Sequence, residues 1–275
     1  MKATLRQLLQ TTASAFPEVG NLQLEAGPVV VGRYFGATIT TAFQPLFSAD
    51  DDSTPQAWEA FARSHSRHGE GLSPWRLFTD AADDHQLVTL DRLCRAIHTL
   101  NYLAHTSEGN HRPLFLNVHP RLLDAVTSDH GAFFRTVLDR LNVSPEHIVI
   151  DIPALPPGAH HRVRQVVANF QRQGFRVALA AANRLDAQLL GHWVQPDYLR
   201  LPADAWNAPE TAATVQDLAR RGVPVIATRV ECAASLARAR AGGASLLQGF
   251  WLGRPHTGRL AGTHHGQPIS YTDLK

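Results

Sequence analysis

Six polar side chains close short apolar runs between Pro113 and Gln248. Asn117 ends PLFLN, Asp151 ends HIVID, Arg200 ends DYLR, Thr228 and Glu231 follow VPVIA, and Gln248 ends ASLLQ. A barrel of parallel strands builds its chemistry at the C-terminal strand ends, so carboxylates, carboxamides and a guanidinium in that position read as the rim of a site. The row has a gap: RVAL opens onto Ala180, Ala181 and Ala182, three side chains with no atom to ligate a metal or carry a proton.

The elements that must position this row follow from its periodicity. From Pro113 onward, strand-like runs (LFLNV, IVIDI, RVALA, DYLRL, PVIAT, SLLQGF) alternate with helical segments over about 120–141, 160–173, 186–193, 209–221 and 231–241. Alternating β and α units build a parallel sheet covered by helices, and this many units in one domain favour closure into a barrel. The first hundred residues fit less neatly. GPVVVGRYFGATITTAFQPLF holds two β-rich runs separated by glycines, which predicts a hairpin and an antiparallel start. Asp50, Asp51, Asp52, Ser53, Thr54 and Pro55 form an acidic, turn-prone connection, and two helices follow over about 74–82 and 86–104.

Composition bounds the function. The 275 residues suit one large α/β domain; 44% are apolar, 18% are charged, and no uncharged apolar stretch is long enough to span a membrane. The N-terminus, MKATLRQLLQTTASAF, predicts a short surface helix rather than a secretory signal, and with it a cytoplasmic protein. Cys94 and Cys232 lack redox or zinc-ligand spacing and are expected to be two unpaired, buried thiols in a reducing compartment. A net charge of +2, with 26 basic residues scattered among 24 acidic ones, argues against nucleic acid as a partner. Of the 15 histidines, His65 and His68, His160 and His161, and His264 and His265 have no carboxylate at ligand spacing and are expected in solvent rather than on a metal.

An ordered set of segments carries a family resemblance. FQPLF from Phe43, EAFAR from Glu59 to Arg63, LSPWRLF from Leu72, LDR from Leu90, LNVHP from Leu116, IDIPA from Ile150, PDYLRL from Pro196, VPVIATRVE from Val223 and QGFWLGRP from Gln248 occur in the order of the EAL-domain proteins. Active members of that family hydrolyse cyclic di-GMP, a bacterial second messenger, with two hard divalent cations. The resemblance therefore implies an α/β, EAL-type (TIM-like) barrel with one antiparallel strand near the start. It divides the chain into a helix and strand extension over 1–37, the barrel over 38–258 and a tail over 259–275.

The same resemblance assigns residue roles. Glu59, Asn117 and Asp151 fall on metal-ligand positions, with Asp151 in place of a family glutamate, and Glu231 and Gln248 also match. The family's adjacent aspartate pair falls on Ala180 and Ala181, its lysine on Arg200, and a glutamate on Thr228; the loop after the aspartates has become ANRLDAQ. Hard cations need oxygen ligands, so the expectation is an inactive phosphodiesterase with no resident metal or other cofactor. Removing acids lowers the repulsion of a dianionic ligand, which leaves metal-free binding of cyclic di-GMP open. Arg63 and Arg200 are then candidates for phosphate, Glu59, Asn117, Glu231 and Gln248 for polar contacts, and Phe250 or Phe61 for stacking on a purine. Core packing of the two phenylalanines, pairing of Arg63 with a neighbouring acid, and pairing of Glu59 or Asp151 with Arg200 are the plainer alternatives.

Three functions stay open at this level: an inactive cyclic di-GMP receptor acting on an unidentified regulatory protein, an interaction module that has lost the nucleotide, and a weakly active metal-dependent phosphodiesterase. The stretch between Arg200 and Thr228 is shorter than the family norm where the family forms its dimer, so the resemblance does not fix an oligomeric state.

Overall fold

The computed structural model describes residues 4–17, 21–25, 27–106, 112–125, 131–154, 160–257 and 260. The elements are, in chain order, α1 (Leu5–Ala15), β1 (Leu22–Leu24), β2 (Val30–Tyr34), β3 (Ala37–Ser48), β4 (Pro55–His65), β5 (Gly71–Leu72), α2 (Pro74–Thr79), α3 (Asp84–His105), β6 (Leu114–Asn117), α4 (Pro120–Ala125) and α5 (Ala132–Leu141). They continue with β7 (Ile148–Ile152), α6 (His160–Arg172), β8 (Arg176–Ala180), α7 (Arg184–Trp193), β9 (Tyr198–Pro202), α8 (Glu210–Arg220), β10 (Val225–Thr228), α9 (Ala233–Ala241), β11 (Leu246–Leu247) and β12 (His256–Thr257).

Eight strands close into a barrel in the order β3, β4, β6, β7, β8, β9, β10, β11 and back to β3. β3 runs antiparallel to both of its barrel neighbours, and the other seven strands are mutually parallel where they pair. This is the expected barrel with one antiparallel strand near its start. β2 and β3 form the antiparallel hairpin that GPVVVGRYFGATITTAFQPLF implied, and β1 extends it by pairing antiparallel with β2.

Side chains alternate between the two faces of a strand, so each stave sends every second residue inward. One inward layer is apolar: Leu46, Ala57, Phe115, Val149, Ala178 and Ile226 form a buried cluster against which Tyr198 and Leu246 pack. It fills the barrel. Two residues further toward the open end, the same strands present Gln44, Glu59, Asn117, Asp151, Ala180, Arg200, Thr228 and Gln248. The larger core lies outside the barrel, where Leu87, Leu90, Ile97 and Leu100 of α3 and Val163, Val166 and Val167 of α6 cover the strands.

Besides the β2–β3 pairing, a buried amide ties the N-terminal extension to this frame. Asn101 of α3 donates through Nδ2 to the carbonyl of Val30 at 2.8 Å and accepts from its N–H at 2.7 Å, and the same Nδ2 donates to Thr41 at 3.2 Å. Asn101→Ala would leave both backbone groups of Val30 buried and unpaired. We expect it to lower the urea-unfolding free energy by about 2–4 kcal/mol; a loss below about 1 kcal/mol would show that water replaces the amide.

Four sequence expectations change. The helix expected over 120–141 is two helices, because Gly131 takes a left-handed φ of 89° where a Cβ would strike the rings of Phe170 and Phe175. The helix expected over 231–241 starts at Ala233, with Cys232 as its N-cap. SLLQGF contributes only two strand residues. Cys94 is buried as expected, but Cys232 is exposed, because a capping residue sits outside the packed face of its helix. His65 is half-buried and His68 exposed, whereas the side chains of His160 and His161, all of His264 and His265, and nearly all of the 259–275 tail lie outside the described residues. No described helix is long and apolar enough to cross a membrane.

Candidate functional site

The polar layer forms the floor of an open cavity of about 400 Å³ at the C-terminal mouth of the barrel. Arg200, from the end of β9, is its hub. One amino group, Nη2, donates to Glu59 Oε2 at 2.7 Å and to Gln248 Oε1 at 2.5 Å, and Nη1 contacts Asp151 Oδ2. Glu59 is 2% exposed and Asp151 3%, so two carboxylates removed from water share one guanidinium. Desolvation penalises a charge left alone in such a place and is offset only by close pairing with further hydrogen bonds.

Those further bonds are present. Glu59 Oε1 accepts from Asn117 Nδ2 at 2.8 Å, and Oε2 also accepts from Gln248 Nε2 at 2.7 Å. Gln248 Nε2 reaches Gln44 Oε1 at 3.2 Å, and Gln44 donates onward to the carbonyl of Gly253 at 2.9 Å. Five of the sequence-predicted residues, Glu59, Asn117, Asp151, Arg200 and Gln248, thus form one hydrogen-bonded unit. The pairing of Glu59 and Asp151 with Arg200 is the alternative that the geometry supports.

The remaining candidates stand around the mouth. Ala180, Ala181, Thr228, Glu231, Phe61 and Phe250 all line the cavity. Phe250 is 49% exposed, which rules out core packing for it, and Phe61 is half-buried. Each ring has a guanidinium over it: Arg254 lies 4.6 Å from the centroid of Phe250 and Arg63 6.0 Å from that of Phe61. Arg63 itself is not in the cavity wall; it shares the inward face of β4 with Glu59 and Phe61 but lies above the mouth, donating to the Ala62 carbonyl at 3.0 Å. Two polar lining residues were missed by the sequence reading. Gln44 belongs to the antiparallel strand, and Arg229 sits unremarked between Thr228 and Glu231, where its charge was the available signal.

A second cavity of about 330 Å³ lies between α3 and strands β4 and β6, and it shares Phe61, Asn117 and Pro153 with the first. Its walls are mainly apolar, with Asp91, Arg95, His98 and His119 among them. Arg95 donates from Nε to Asp91 at 2.6 Å while its Nη1, buried, has no hydrogen-bond partner. Burial first, then the charges of Arg95 and Arg63, push His98 down to about 3, so this imidazole is neutral at physiological pH. Burial and Arg121 also lower His119, which stacks on Phe78.

These residues do not fit a pair of hard divalent cations. Strand β8 ends in two alanines, the oxygens of Glu59 are engaged by amide and guanidinium donors, and no group of three or more His, Cys, Asp or Glu among the described residues is arranged to hold a metal ion.

The comparisons agree on the fold. Residues 36–255 match the EAL domain family, whereas no curated protein matches the chain. Among solved structures, it is similar to a standalone EAL protein from Vibrio cholerae bound to c-di-GMP, at 18% identity over 82% of this chain and 95% of that one, with a TM-score of 0.65. It is also similar to the Xanthomonas citri FimX EAL domain in complex with c-di-GMP, at 20% identity over 95% and 97% with a TM-score of 0.60. The Bacillus subtilis YkuI protein, with an EAL domain and in complex with c-di-GMP and calcium, is 20% identical over 79% of this chain and has a TM-score of 0.62; the match spans 56% of YkuI. Identities this low speak for the shared barrel, and the family match covers most of the chain. The chain belongs to the EAL domain family.

Proposed function

We propose that this protein is a cytoplasmic receptor for cyclic di-GMP that lacks phosphodiesterase activity and passes ligand occupancy to a regulatory protein. The observation that carries the proposal is Arg200, whose guanidinium lies between Glu59 and Asp151 while Ala180 and Ala181 offer no oxygen. A tethered cation neutralises carboxylates that would otherwise repel a dianionic ligand, with no mobile ion required. It cannot lower the pKa of a bound water as a divalent metal does, and Thr228 stands where the family resemblance implies a glutamate.

The mouth offers what a cyclic dinucleotide needs. Phe61 and Phe250 line the cavity, and base–aromatic stacking contributes about 1–3 kcal/mol per base. The adjoining cavity, walled by Phe61, Phe78, Leu116 and Val118 with Asp91 among its polar groups, adds room for a second purine. The solved structures noted above include c-di-GMP complexes of similar barrels.

Calorimetry in the presence of EDTA tests the reading. We expect micromolar or tighter binding of cyclic di-GMP and, in parallel, no linear pGpG with magnesium or manganese at high protein concentration. Absence of binding heat removes the receptor; metal-dependent pGpG removes the inactivity.

One surface favours a second reading, an interaction module that no longer binds nucleotide. Leu185, Leu189 and Trp193 are 59%, 48% and 61% exposed at intervals of four along α7, an apolar stripe of the kind that marks protein contacts. The same calorimetry separates the two, since this module would bind nothing in the barrel mouth.

A further inference from the structure

We infer that Arg229 is the residue that holds a phosphodiester of the ligand in place of metal. The inference rests on the receptor reading above and specifies how that site recognises its anion. Three carboxylates (Glu59, Asp151 and Glu231) and two guanidiniums (Arg200 and Arg229) line the cavity. Arg200 is committed: its side chain is 11% exposed, and turning it toward a ligand would strip Glu59 and Asp151 of their buried cation. Arg63 is outside the wall, and Arg254 covers Phe250. Arg229 is exposed, lines the cavity, and its side chain makes no hydrogen bond, ion pair or ring contact among the described residues.

Its backbone supplies an independent observation. Arg229 has a φ of 58°, in the left-handed region that glycine or asparagine enters with least strain. The surrounding chain fixes it there: the Val230 N–H donates to the Gln248 carbonyl at 3.0 Å, and the Trp251 N–H donates to the Val230 carbonyl at 3.0 Å. A long cationic side chain thus occupies a position where backbone preference alone selects glycine, at the rim of the cavity. Departures from local preference that persist in a well-fixed segment point to a functional demand. A guanidinium fork also matches the two non-bridging oxygens of a phosphodiester.

The test compares unchanged protein with Arg229→Gly, Arg229→Gln, Arg229→Lys and Arg63→Ala by calorimetry with cyclic di-GMP in EDTA. Arg229→Gly is expected to keep or raise the thermal midpoint, because glycine relieves the backbone, while weakening affinity by about tenfold to a hundredfold. Arg229→Gln should lose about as much, Arg229→Lys less, and Arg63→Ala least. The dependence of affinity on salt should flatten in the two uncharged variants. Glycine and glutamine variants that bind as tightly as the unchanged protein overturn the Arg229 assignment and leave the receptor intact. Unchanged protein that binds nothing overturns both.

Discussion

Arg200→Leu is expected to lower the unfolding free energy by about 3–5 kcal/mol, the usual cost of removing one partner from a buried ion pair. The figure belongs to the carboxylates left behind rather than to the guanidinium itself. Glu59 and Asp151, 2% and 3% exposed, would have to ionise without a cation or take up a proton each. Asn117 and Gln248 would still donate to Glu59, so Asp151 is the more damaged of the two. Repeating the substitution in a Glu59→Gln, Asp151→Asn background should recover more than half of the loss, since the variant then buries neutral amides. Urea unfolding of the four proteins measures this directly. A loss below about 1 kcal/mol in Arg200→Leu would mean that the carboxylates are hydrated and that the tethered-cation account is wrong.

Gly249→Ala should be comparably damaging for a steric reason. A Cβ at Gly249 would fall onto the backbone N, C and O of Val230, and backbone, unlike a side-chain tip, cannot step aside. The Gln248–Val230 hydrogen bond that joins the β11 end to the rim loop would be forced open. Overpacking of this kind costs about 3 kcal/mol or more, which for a domain of this size corresponds to a fall in thermal midpoint of about 6–12 °C. The same displacement moves Arg229 and Phe250, so ligand affinity should fall together with stability. A variant melting within about 2 °C of the unchanged protein would show that the rim loop has another packing.

The residues at parallel strand ends were legible in the sequence because two rules coincide there. The βα rhythm fixes where each strand stops, and the alternation of faces then puts Asn117, Asp151, Arg200 and Gln248 into one inward layer. The alanine gap at 180 and 181 was legible for the same reason. Gln44 escaped because β3 runs the other way: its contribution to the layer comes from mid-strand, where no turn or apolar boundary marks it. Arg229 escaped because its importance depends on a left-handed backbone that nothing local demands of an arginine. The left-handed Gly131 that caps the start of α5 lies against the rings of Phe170 and Phe175, and contacts across about forty residues of sequence leave no local trace. Arg63, a candidate for phosphate in the sequence, shares the inward face of β4, but strand parity does not say how high on that face the cavity wall ends.

Barrel closure itself has a kinetic consequence. The last stave, β11, is two residues long and pairs with β3 through Phe47 and Ser48, and Gln248 meets Gln44 across 204 positions of chain. Joining such distant segments loses the most chain entropy for the fewest backbone bonds, so the seam is expected to zip late and part early. A nascent chain still lacking Gln248 has most of its staves but no finished pocket. A nucleotide lying across the completed mouth would act as a clasp, slowing amide exchange along β11 before it changes any other strand.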